Sequence, residues 1–247
     1  DAVINLVGIL HQEGAQSFTR VQAQGSAAIA EAAAKAGVTT FVHVSAIGAD
    51  EASDSQYART KGEAERAVRQ AIPSATILRP SVVFGPEDQF FNKFATLMSM
   101  APAFLPLPLL FGGGAAKFQP VYVDDVAEAI CSALEKPEAS GKLYELGGPR
   151  TYTFRQLLEF VLSETGHRRI LAPVPFALAP VIGFFGECVG AVPFFAPPVT
   201  RDQIKLLQHD NVVSDGAAGL KDLGVTPRTV ESIVPAYLVR FRKYGQF

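Results

Sequence analysis

The sequence predicts an α/β protein built on a doubly wound parallel sheet, and two observations carry this. Short runs of β-branched and aromatic residues alternate with longer stretches rich in Ala, Glu, Lys and Arg, as strand–helix–strand crossovers require. The opening Ala2-Val3-Ile4-Asn5-Leu6-Val7 is apolar except for Asn5, the pattern of a strand covered on both faces. With 247 residues, 48% of them hydrophobic and 19% charged, the chain has material for one large domain and a substantial core.

The elements follow in order. Ser17 to Ala36 reads as an alanine-rich helix with Phe18, Val21, Gly25, Ala28, Ile29 and Ala32 on one stripe, closed by Gly37. Thr40 to Ser45 is a strand, Ala46 to Gln56 a polar loop, Tyr57 to Gln70 a helix, and Thr76 to Gly85 the next strand and its exit. Phe91 to Met100 is helical, and Pro102, Pro106 and Pro108 mark a loop. Gln119 to Val123 is extended; Asp124 or Asp125 then caps a helix through Val126, Ala129, Ile130 and Ala133. Lys142 to Leu146 is a strand, and Thr153 caps the helix Phe154 to Thr165.

Residues 1–165 therefore read as the sheet domain and 166–247 as a small apolar, proline-rich and helical subdomain. Leu171 to Thr200 holds thirty residues and one charge, Glu187, broken by six prolines. Its longest proline-free piece, Val181 to Val192, is too short to span a bilayer, which takes roughly 20 apolar residues. Phe184-Phe185 and Phe194-Phe195 suit packing, a hydrophobic substrate or a membrane surface. A mean hydropathy of +0.19 points the same way.

Net charge is −2 with no long basic run, which argues against a nucleic-acid partner. Cys131 and Cys188 lie far apart and suggest a reducing, cytoplasmic compartment, with Cys131 as an inert core thiol. There is no CxxC or His/Cys cluster to propose a metal. No GxGxxG follows a strand, so the chain is expected to be the later part of a longer fold, cut after its first three strands.

The chemistry points to Tyr57-Ala58-Arg59-Thr60-Lys61. Four residues apart on a helix, the phenol and the ammonium share one face. A fixed cation there is expected to stabilise the phenolate and fit Tyr57 for proton transfer to a carbonyl. The pair opens a helix near the carboxyl ends of parallel strands, where open α/β sheets bind ligands.

Together with His43-Val44-Ser45, Pro80 to Asp88, Gln119 to Val126 and Thr200-Arg201-Asp202, this motif resembles the extended and atypical short-chain dehydrogenase/reductase superfamily. More narrowly the chain is similar to the Rossmann-type accessory subunits of respiratory complex I and their bacterial homologues. The resemblance implies a bound nicotinamide dinucleotide, NADP(H) before NAD(H). It places Val7, Gly8, Ser45, Tyr57, Lys61, Pro80, Ser81, Val82 and Val83 at the cofactor, with Tyr57, Lys61 and Ser45 as the catalytic set. It implies association with a respiratory complex at the periphery of the inner membrane. The superfamily's oxyanion-binding Ser or Thr falls at Ala46 here; either Ser45 reaches the oxygen from one residue back or that donor is missing, so carbonyl reduction is expected to be slow or absent. A non-catalytic assembly protein and a nucleotide-sugar epimerase or dehydratase stand as alternatives.

Overall fold

The computed structural model describes residues 1–100, 108–178, 180–184 and 200–243. Pro102, Pro106, Phe185, Cys188 and Phe194-Phe195 lie outside the described residues. The chain divides into two compact units, each assembled from separated stretches. The first comprises Asp1–Ser81, Asp124–Gly147 and Val213–Pro227. The second comprises Val82–Val123, Gly148–Val212 and Arg228–Phe247. A single boundary at 165/166, as read from the sequence, cannot express a chain that passes repeatedly from one unit to the other.

The first unit holds a four-stranded parallel sheet, the α/β arrangement expected. Its strands are β1 (Ala2–Asn5), β2 (Thr40–Val44), β3 (Thr76–Pro80) and β8 (Leu143–Leu146), in that spatial order. Helices α1 (Gly25–Lys35) and α2 (Gln56–Ala71) cover one face through Ala30, Ala33, Phe41, Val68, Ile72, Ala75 and Ile77. Helix α4 (Val123–Glu135) belongs to this unit from Asp124 onward.

Several expectations are corrected. Helix α1 is preceded by a π-wound turn, Thr19–Gln24, so the buried stripe is Phe18, Gln22, Ser26, Ala30 and Ala33, while Ala28 and Ala32 are exposed. A π turn takes up one more residue than an α turn, which shifts every later position by one. Strand β1, with β2 as its neighbour in the described sheet, leaves Ile4 44% exposed, and Leu6 beyond it 65%. Cys131 is exposed, because α4 buries the stripe through Asp125, Val126, Ala129 and Ala133 and residue 131 falls off it. Asp124 and Asp125 do not precede the helix but stand in its first turn, where their charge still favours the positive end of the dipole.

The second unit carries β4 (Val83–Phe84) paired with β7 (Val121–Tyr122), β5 (Leu109–Phe111) with β10 (Ala172–Val174), and β6 (Lys117–Phe118) with β9 (Tyr152–Thr153). Helices α3 (Phe91–Met100), α5 (Phe154–Thr165) and α7 (Val230–Leu238) pack an aromatic core around Phe84, Phe91, Phe118 and Phe154; a short α6 spans Arg201–Leu206. Thr153 caps α5 as expected, in a reciprocal capping box with Gln156. Phe184 is exposed. No described helix is long and apolar enough to cross a membrane.

Candidate active site

The site is built where β2 ends and α2 begins, within the first unit. Ser55 caps α2 by accepting from the Ala58 N–H, which places Tyr57 in the first turn. The Tyr57 ring packs edge-on against Phe18 with centroids 5.8 Å apart. Burial pushes its phenol up to about 12. The expected shift was downward; burial, which disfavours the charged phenolate, sets the direction instead.

The Lys61 ammonium crosses to the sheet and donates to the Val44 carbonyl at 3.3 Å. Only 5% of the residue is exposed, and this burial lowers its pKa to about 8, with Glu65 opposing the shift one turn further on. A Cβ built on Gly8 would lie 3.1 Å from Nζ, so the turn after β1 passes directly over the ammonium. Ser45 follows β2, held by its N–H to the Leu78 carbonyl at 2.7 Å. Its hydroxyl is buried and makes no hydrogen bond with the described residues. Pro80 accepts from the Ile47 N–H at 3.0 Å, and Ser81 donates its N–H to Leu146 at 2.9 Å, both in the first unit. Val82 and Val83 belong to the second unit, where the Val82 carbonyl accepts from Val121 and Val83 lies in β4 opposite Val121.

Tyr57, Lys61, Ser45, Val7 and Gly8 are therefore gathered in one unit. Three residues around them were not assigned to the site from the sequence. Asn5 pairs with His43, and Gln22 ties the 7–9 turn to α2: its amide donates to the Ile9 carbonyl at 2.8 Å and its oxygen accepts from Thr60 at 2.8 Å. For Asn5 the available signal was a lone polar residue in an apolar strand; Gln22, set between Arg20 and Gln24, carried none. Among the described residues no group of three or more His, Cys, Asp or Glu is placed to hold a metal.

Residues 1–147 match the model of the NAD dependent epimerase/dehydratase family, which is more than half of the chain. The chain belongs to this family. Over 99% of its length it is 36% identical to mouse (Mus musculus) "NADH dehydrogenase (ubiquinone) 1 alpha subcomplex subunit 9, mitochondrial", spanning 63% of that protein. It is 33% identical over its whole length to the "NADH-ubiquinone oxidoreductase 40 kDa subunit, mitochondrial" of Neurospora crassa, again spanning 63%. Among solved structures it is similar to a dTDP-glucose 4,6-dehydratase from Streptomyces venezuelae. The TM-score is 0.70 at 21% identity, covering 98% of this chain and 72% of that one. That likeness shows the family's parallel-sheet α/β fold in this chain.

Proposed function

We propose that this family member binds a nicotinamide dinucleotide at Lys61, Ser45 and the Val7–Gly8 turn. The observation that carries the reading is a buried ammonium that, among the described residues, has no carboxylate in ion-pairing distance, in the same unit as a buried hydroxyl that has no hydrogen-bond partner among them. Buried polar groups are nearly always satisfied, so such a set suits a ligand rich in hydroxyl and amide groups. Gly8 adds a place where backbone, free of a side chain, comes close to the lysine. Lys61 would hold the nicotinamide ribose, and Pro80 and Ser81, in the same unit, would flank the ring. The nucleotide proposed is NADP(H) before NAD(H), on the resemblance to the complex I accessory subunits alone.

In its reduced form a dinucleotide held there would supply a hydride and leave as the oxidised nucleotide. With its pKa at about 12, Tyr57 keeps its proton at neutral pH and is therefore an acid, suited to protonating an oxygen as hydride arrives. Ala46 leaves that oxygen one donor short, which slows turnover by about 10²–10³. The role proposed is thus cofactor-dependent assembly, with weak carbonyl or quinone reduction as the second reading. The apolar Leu171–Thr200 stretch favours a hydrophobic substrate over a sugar for any turnover. Similarity to the mitochondrial subunits supports association with a respiratory complex at the membrane periphery. Thermal melts with saturating NADPH or NADH test the reading: wild type should gain stability, and Lys61→Ala should lose the gain. Equal melting temperatures with and without either nucleotide would sink it.

A further inference from the structure

The deepest-buried polar contact of the site is not among the residues that would touch a ligand. Asn5 and His43 face each other in the β1–β2 register, 1% and 0% exposed, with Asn5 Nδ2 3.1 Å from His43 Nδ1. The other end of the same amide, Asn5 Oδ1, accepts from the Val7 N–H at 3.0 Å. A backbone N–H only donates, so the amide oxygen must face Val7 and the NH2 must face the imidazole. Nδ1 of His43 therefore accepts, and the neutral ring carries its proton on Nε2.

We propose that Asn5 and His43 form a positioning pair that holds the Val7–Gly8 turn over Lys61 and thereby sets dinucleotide affinity, on the reading of the site given above. The turn is fastened at both ends. On one side the His43-oriented amide fixes Val7. On the other, Gln22 holds the Ile9 carbonyl and reaches Thr60, the residue before Lys61 on α2. Between these anchors a Cβ on Gly8 would lie 3.1 Å from the lysine ammonium nitrogen. In a dry interior neither Asn5 bond can break without leaving a donor unpaired, so the turn has one arrangement. Neither residue touches the ligand in this scheme; both act through Val7, Gly8 and Lys61.

The test uses the full chain and three readouts: titration with NADPH and NADH, the rate at which an amine-specific reagent labels Lys61, and the imidazole 15N shifts of His43. Asn5→Ala is expected to weaken nucleotide binding about tenfold, the equivalent of one lost buried hydrogen bond, and to speed Lys61 labelling by a similar factor. Asn5→Asp keeps an acceptor for Val7 but offers His43 a second acceptor. It should move the imidazole proton to Nδ1 and return Lys61 labelling to within about threefold of wild type. A wild-type imidazole with its proton on Nδ1 overturns the proposal, as does Asn5→Ala with unchanged affinity and labelling. If wild type binds neither nucleotide, the dinucleotide reading fails by itself, and the labelling rates still decide whether the pair positions the turn. If Asn5→Ala does not fold, the wild-type tautomer and Asn5→Asp decide it.

Discussion

Gly8 stands over Lys61, so close that a Cβ on the glycine would lie 3.1 Å from the ammonium nitrogen. The need is for space, since the neighbour is the far end of a side chain and not rigid backbone. Gly8→Ala should therefore be tolerated, with Nζ giving way by a few tenths of an ångström. Gly8→Val should push the ammonium off the Val44 carbonyl and weaken dinucleotide binding by about tenfold or more, while the melting temperature stays nearly unchanged. Titration and a thermal melt on the same samples check both halves.

Lys61 should lower the stability of the ligand-free protein at neutral pH. Its folded pKa of about 8 lies below the ordinary 10.5, so between these values the unfolded chain binds more protons and stability rises with pH. Below pH 8 the penalty is constant. Lys61→Met should stabilise the protein at pH 7 by about 1–3 kcal/mol, the pKa difference less the lost bond to Val44, and abolish nucleotide-induced stabilisation. Urea unfolding at pH 7 and pH 10 should show the advantage shrinking at the higher pH. Above pH 10 the sign reverses for Tyr57: its raised pKa means the unfolded chain loses the proton first, and stability falls.

His43 should make the fold acid-labile. Burial first, and the Lys61 charge second, lower its pKa from 6.5 to about 3. Between these values the unfolded chain takes up a proton that the folded chain refuses, so stability is full above 6.5 and is lost as pH falls through the window. The slope from this group approaches about 1.4 kcal/mol per pH unit within the window. His43→Gln, which cannot titrate, should be less stable than wild type at pH 7 but show a shallower loss between pH 6 and pH 4 in the same unfolding assay.

Catalysis should be limited by the residue after Ser45. Ala46→Ser is expected to raise NADPH-dependent reduction of small quinones or ketones by about 10²-fold, because a hydroxyl there would meet charge that develops mainly in the transition state. Tyr57→Phe in that background should remove the gain by removing the proton donor. Fast turnover by the unmodified protein, insensitive to Tyr57→Phe, would assign the chemistry to other residues.

The order of strands and helices was legible along the chain because it rests on local properties. The β-branched runs at 40–44 and 76–80, the helix at 56–71 and the Thr153 capping box all depend on residues a few positions apart. The Tyr57–Lys61 spacing belongs to the same class. Folding settled what depends on distant partners. Asn5 meets His43 across 38 residues, and the Lys61 ammonium bonds a carbonyl 17 residues back. The π turn at Thr19–Gln24 slips the stripe of α1 by one residue, which no 3.6-residue period could foresee. Burial then set the charges: a phenol raised, an ammonium and an imidazole lowered. Spacing names which groups share a helix face, but the cost of removing each from water depends on what packs around it, and that packing comes from the whole chain.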